Sequence, residues 1–278
     1  LEYDGGTVKQ CCSPERSPFD YTNSAVLIDS VLERYKSGLS KEAYGYLAGF
    51  TSEVPDFSGQ DSEYPAVPWY DELETEYTEE FDGDIFSNLK SLFEDNEDAS
   101  EFKAWYWQKI TDRMGETALI SEWCKENEKG YFPQIKTNAN PYSQVLQTGS
   151  ALQYLRRFNL PSVSFSGKTA VSHFLPVSVS SLAKQFGSGT AGASVLGGLG
   201  WGIRPGEFEE YMTRLIECGI NMFVFHTSFL HLNYKSLSRN QISFPTHITW
   251  KKVVPQILER LREKAEDETK RPHKILVV

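Results

Sequence analysis

Glu53 closes the run Gly49-Phe50-Thr51-Ser52-Glu53-Val54-Pro55, where an apolar stretch gives way to an acidic, aromatic segment. The pattern reads as a buried strand that delivers one carboxylate to the edge of a sheet. A barrel-type hydrolase presents a general acid from such a position. Further on, Pro68-Trp69-Tyr70-Asp71-Glu72-Leu73 sets aromatic rings beside carboxylates. Rings of this kind stack on the apolar faces of sugars, while carboxylates take up their hydroxyls. The competing reading is a solvated acidic surface with scattered aromatics. His226 falls at the end of the apolar stretch Gly219–Thr227, where barrel enzymes place site residues and where a core histidine would also fit. Trp201 follows a glycine-rich strand end and reads as a sugar platform or as packing.

Other chemistry is less well supported. Gly187-Ser188-Gly189-Thr190-Ala191-Gly192 has the spacing of a dinucleotide loop, but it follows a helix and precedes a strand, the reverse of that context. Gly167-Lys168-Thr169 lacks the first glycine of a phosphate loop, because Ser162 stands there. The cysteines Cys11, Cys12, Cys124 and Cys218 form no CxxC pair and have no histidine at zinc-finger spacing. Cys124 and Cys218 read as small core residues. No metal or cofactor is called for, although the acidic loop carries oxygens of the kind that bind Ca²⁺.

The elements that must position these residues alternate between helical and strand-like patterns, as in an α/β protein with a mainly parallel sheet. Strands are expected at 46–53, 130–136, 161–165, 190–196 and 219–227. Helices are expected at 23–37 (capped by Asn23), 84–93, 98–128, 142–158, 176–186, 205–217 and 250–268, with a long acidic loop over 56–84. The tail, 273–278, reads as the start of another strand. Five strands with crossover helices cannot close an eight-stranded barrel. The fold class is therefore α/β, an incomplete (β/α)₈-like barrel, with the remainder expected from another segment or chain. Residues 1–249 make up that partial barrel, and 250–278 lead into a following domain.

Bulk composition narrows the partners. Of the 278 residues, 40% are apolar and 13% aromatic, enough for a sizeable core. The net charge is −10, and no Lys/Arg cluster marks a nucleic-acid footprint. No apolar run reaches membrane-spanning length. Leu1-Glu2-Tyr3-Asp4 has no signal-peptide character, and no Asn-x-Ser/Thr sequon is present. The compartment is left open.

Taken in order, these segments resemble the α-L-rhamnosidase-like glycoside hydrolases, multi-domain enzymes built around a (β/α)₈ barrel. Gly49–Pro55 resembles the family's "GFFTDEP" strand and Pro68–Leu73 its "PWTDEL" loop. Phe81-Asp82-Gly83-Asp84 with Leu89 to Phe93 is similar to its "F…GYD…LP.LF" helix, and Trp123-Cys124 to its "WC". Ser180–Gly187 resembles "SSxAxQxG", Gly200-Trp201 resembles "GW", and Gly219-Ile220-Asn221 with His226 resembles "GVN…H". The likeness covers about residues 19–278, with Trp250–Val278 similar to the helix and "ILVL" strand entering the next domain. It implies barrel strands four to eight, Glu53 as general acid, and Trp69, Asp71, Trp201, Ser194 and Asn221 in a pocket for a carbohydrate or glycoside.

The resemblance also exposes two departures. Ser194 stands where the family's strand-seven glutamate is expected, and Phe132-Pro133-Gln134-Ile135 replaces its strand-five "TGH". Glycoside hydrolysis normally needs two carboxylates. Three readings follow. One is an active hydrolase with a relocated base such as Asp56 or Asp71. The second is a pseudoenzyme that binds sugar without cleaving it, and the third a barrel recruited to a non-sugar metabolite.

Overall fold

The computed structural model describes residues 2–4, 7–9, 21–54, 67–94, 97–115, 118–136, 144–145, 148–166, 173–226, 229 and 242–270. The 56–66 part of the acidic loop, Cys11, Cys12, His231 and the expected strand at 273–278 lie outside the described residues. The chain divides into two compact units. The first comprises residues 1–50, 54–131 and 139–157. The second comprises 51–53, 132–138 and 158–278.

In the first unit a short antiparallel pair, β1 (Glu2–Asp4) and β2 (Thr7–Lys9), precedes a helical stretch. That stretch consists of α1 (Tyr21–Leu27), a π turn (Ile28–Leu32) and α2 (Glu33–Gly38). It starts ahead of Asn23, which is therefore a residue within the helix and not its cap. Next comes α3 (Lys41–Tyr46), whose Ser40 cap accepts a hydrogen bond from the Ala43 N–H at 3.2 Å. Tyr46 ends this helix, so the expected strand at 46–53 is shortened to Gly49–Glu53.

The expected long loop contains α4 (Leu73–Phe81). Its Leu73, Tyr77 and Phe81 recur every four residues and make the apolar stripe that folds it. Tyr77, Phe81 and Phe102 surround Trp105, with ring centroids 5.1, 5.8 and 6.2 Å away. The expected helix at 84–93 is two 3₁₀ turns, Ile85–Ser87 and Leu89–Leu92. The single helix expected over 98–128 is two, α5 (Ser100–Gly115) and α6 (Leu119–Glu126). The helix expected at 142–158 is described as α7 (Ala151–Leu155).

A five-stranded, curled parallel sheet carries the second unit, in the order β3 (Gly49–Glu53), β4 (Gly130–Lys136), β5 (Ser162–Ser166), β6 (Gly192–Gly197) and β7 (Met222–Phe225). The α/β partial-barrel expectation holds at that level. Helices α8 (Phe174–Phe186) and α9 (Pro205–Glu217) connect β5 to β6 and β6 to β7. Pro205 opens α9, and the Glu207 carboxylate accepts the Arg204 N–H at 2.8 Å. Gly219 ends the turn after α9 at φ +88°, and a Cβ there would collide with Ser180 Oγ, so only glycine fits.

Strand pairing sorts side chains by face. Ile135, Val163, Ala193 and Phe223 are register partners on successive strands, and the first three are essentially fully buried. Two residues on, Phe225 meets Phe208 of α9, with ring centroids 6.3 Å apart. Phe208 also contacts Phe244 (5.2 Å) and Trp250 (5.5 Å), and the Trp250 Nε1–H donates to the Ile203 carbonyl at 3.0 Å. A final helix, α10 (Val254–Lys270), buries Val254, Ile257 and Leu261. Arg260 reaches across to Glu209 of α9 through two 2.7 Å bonds.

Three outcomes are expected. Phe208→Ala lowers unfolding free energy in urea by about 3–5 kcal/mol, whereas Arg260→Ala, at an exposed ion pair, lowers it by no more than about 1 kcal/mol. Burial pushes the Cys124 thiol from its ordinary 9.0 up to about 11. The folded state therefore keeps a proton that the unfolded chain releases first. The stability tied to this thiol is complete below pH 9 and is lost as pH rises toward about 11. Cys124→Ala should flatten that part of a stability-versus-pH profile.

Candidate functional site

Parallel strands all finish at one edge, so the last residues of β3 to β7 gather there whatever their order in the chain. On the face opposite the Ile135–Val163–Ala193 row, Lys136, Ser164, Ser194 and Val224 are register partners on four successive strands. Glu53, at the end of β3, joins this row through an ion pair, Lys136 Nζ to Glu53 Oε2 at 3.2 Å. β3 is anchored beside β4 by Thr51, whose hydroxyl donates to the Phe132 carbonyl at 2.8 Å. The outcome is a polar line of carboxylate, ammonium and two serines at the carboxyl edge of the sheet.

Ser194 is buried, and its hydroxyl has no hydrogen-bond partner among the described residues. Just past it the pairing shifts: Ser164 faces Ser194, but Ser166 faces Gly197. The extra residue forms a bulge in which Leu196, fully buried, is held at φ +77°. A left-handed conformation in a leucine costs on the order of 1–3 kcal/mol, and such strain clusters where a chain re-aims side chains. His226 follows β7 directly, is exposed, and its backbone N–H donates to the Val195 carbonyl at 2.8 Å. Its ring stands over Gly197, where an added Cβ would lie 4.0 Å from Nδ1. Trp201 lies in the turn between β6 and α9, half-buried, and its indole N–H is buried without a partner among the described residues.

Four of the residues singled out from sequence, Glu53, Ser194, Trp201 and His226, thus lie on or just beyond the carboxyl ends of the strands. Asn221 does not. It precedes β7, and its side chain accepts from the Ala191 N–H and donates to the Gly189 carbonyl, both at 2.9 Å. That places it at the amino edge of β6 and β7, the edge opposite Glu53. Its amide is a clamp on the segment entering β6, because both of its polar ends are committed to backbone.

Trp69 and Asp71 belong to the first unit. Trp69 is half-buried and packs against Phe86, with ring centroids 6.0 Å apart, so part of its face serves packing. Asp71 is exposed. Between them Tyr70 is buried and donates to the Glu76 carboxylate at 3.2 Å, and the Tyr106 hydroxyl donates to the Pro68 carbonyl. The segment is therefore held rigidly. Asp56 lies outside the described residues.

Sequence reading missed Lys136 and Ser164. The signal was available: in Gly130–Lys136 and Ser162–Ser166 alternate residues share a face, and a lysine ending a barrel-type strand is a site position.

A groove of about 480 Å³ lies at the other edge, lined by Ser180, Lys184, Gln185, Glu217, Cys218 and Asn221 among others. Cys218 is buried, with His173 Nδ1 3.2 Å from its sulfur. Burial, and then the Glu217 carboxylate, push its thiol up, so it is a protonated core thiol as read from sequence. Among the described residues no three His, Cys, Asp or Glu side chains gather to hold a metal ion, and no helix is long and apolar enough to cross a membrane. No family model, curated protein or solved structure matches the chain.

Removing the Asn221 clamp separates structure from site. Asn221→Ala should lower stability by about 1–2 kcal/mol in urea unfolding while leaving any ligand titration at the Glu53 edge unchanged.

Proposed function

We propose that this chain is a glycoside-hydrolase-like protein that binds a carbohydrate or glycoside, of the rhamnoside type, at the carboxyl edge of its parallel sheet. The observation that carries the reading is the line of register partners Lys136, Ser164 and Ser194, extended to Glu53 by its ion pair with Lys136. Carboxylates accept, ammonium groups donate, and serine hydroxyls do both, which matches the mixed demands of a polyol. Val224, the exposed register partner of Ser194, continues the line with apolar surface for the face of a sugar ring. The order of motifs resembling the α-L-rhamnosidase-like enzymes supports the same class.

Binding without turnover is the form of this reading that the geometry favours. Glycoside hydrolysis normally divides its work between two carboxylates, whereas the neighbour of Glu53 across the strand edge is the Lys136 ammonium, 3.2 Å away. The position expected for a second carboxylate holds Ser194, which has no base hydrogen-bonded to it among the described residues. Hydrolysis with a base drawn from the acidic segment is the second reading, kept by Glu53 standing where a barrel enzyme places its acid.

Titration with methyl α-L-rhamnoside should give saturable binding that weakens about tenfold or more in Glu53→Gln, with no release of nitrophenol from the nitrophenyl rhamnoside. Turnover that disappears in Glu53→Gln would establish the hydrolase instead. Neither binding nor turnover across a panel of methyl and aryl glycosides would remove the carbohydrate reading altogether.

A further inference from the structure

We infer that Lys136 is the specificity-determining residue of this edge, and that with Glu53 it clamps two hydroxyls on adjacent carbons of an uncharged ligand, a vicinal diol. The inference rests on the carbohydrate reading and adds to it the chemical group that is recognised. Lys136 Nζ and Glu53 Oε2 stand 3.2 Å apart, so a donor-only group and an acceptor-only group are presented side by side. A hydroxyl can donate and accept. One hydroxyl of a vicinal pair donates to Glu53 while its neighbour accepts from Lys136, and the oxygens on adjacent carbons have a spacing close to that of the two protein atoms. A ligand with a single hydroxyl satisfies one partner and leaves the other with water.

The pair is also available. Its side chains are 41% (Lys136) and 59% (Glu53) exposed, so a ligand reaches both. An ion pair that open to solvent stabilises the fold by only about 0–1 kcal/mol, and parting it slightly to admit two hydroxyls costs little. Ser164 is the register partner of Lys136 and Ser194 that of Ser164, with neighbouring strands about 4.8 Å apart.

Charge decides between neutral and acidic sugars. Glu53 already balances Lys136, so no cation at the pair is left for a carboxylate or phosphate. The chain as a whole carries −10, which disfavours anions at long range as well.

The test uses the wild-type chain, Lys136→Met and Lys136→Gln, titrated calorimetrically with methyl α-L-rhamnoside and with its 2-deoxy and 3-deoxy counterparts. Thermal unfolding of each variant checks that the fold is intact. Lys136→Met and Lys136→Gln should each bind the rhamnoside about tenfold more weakly. Deleting one hydroxyl of the recognised pair should cost the wild type a similar factor and cost Lys136→Met almost nothing further, because the two changes remove the same contact. Wild-type affinity in both variants, fully multiplicative losses, or tighter binding of a methyl uronoside than of its neutral parent would each overturn the inference while leaving carbohydrate binding in place. Failure of the wild-type chain to bind the rhamnoside or the methyl glycosides of mannose, glucose and xylose would instead bring down the carbohydrate reading, and this inference with it.

Discussion

The second unit depends on one constraint, the register in which its parallel strands pair. Side chains alternate between faces along a strand, so a slip of one residue moves every side chain to the wrong side. In the observed register Ile135, Val163 and Ala193 align on one face and are sealed from water. The aromatic group of Phe208, Phe225, Phe244 and Trp250 reinforces the same choice, since Phe225 meets α9 only when β7 is in phase. The polar contacts described in the unit have less reach. Arg260–Glu209 and Lys264–Glu217 tie α10 to α9 at the surface, where water competes for both partners.

The polar line on the opposite face follows from that register. Once Ile135, Val163 and Ala193 are committed to the core, Lys136, Ser164 and Ser194 must line up on the other face, one strand spacing apart. Parallel topology then brings this line to the edge where all the strands end. The bulge at Leu196 interrupts the rule once. By inserting a residue after Ser194 it re-aims the end of β6 and leaves Gly197 bare beneath the His226 ring. A strained leucine in a buried strand is a cost that the surrounding packing sustains, and it falls next to the residues with the most chemical interest.

How far the sequence can be read follows from how each element stores its information. The strands are legible because short apolar runs between turn residues admit few alternatives, and Gly130–Lys136 forms over the expected span. Helix α9 is equally clear, since Pro205 and Gly219 mark its ends. Helix α4 is hidden by acidic residues that fill the positions between Leu73, Tyr77 and Phe81, so its stripe of every fourth residue looks like a loop. The break between α5 and α6 is invisible because apolar spacing continues through it. Among site residues, Glu53 is marked by its place after an apolar run. Lys136 escapes a search for paired carboxylates, although it ends its strand as Glu53 ends β3. Asn221 is placed by its order among motifs, which cannot distinguish the two edges of a sheet. Only the strand direction, with Asn221 before β7 and His226 after it, separates them.

The same geometry bears on whether the edge can carry out acid–base chemistry. Two carboxylates at a working distance divide the tasks of glycoside hydrolysis because their surroundings differ: one is kept protonated and the other anionic. Here the first carboxylate has an ammonium as its neighbour, and the register partner two strands further on is a serine whose hydroxyl has no base bonded to it among the described residues. Such an arrangement distributes donors and acceptors over a line without setting any two groups at odds over a proton. It suits recognition of hydroxyls, where each contact is modest and the sum depends on spacing. Bond cleavage by the two-carboxylate route would need a further carboxylate brought to working distance of Glu53, and the register of the sheet sets Lys136, Ser164 and Ser194 along that line instead.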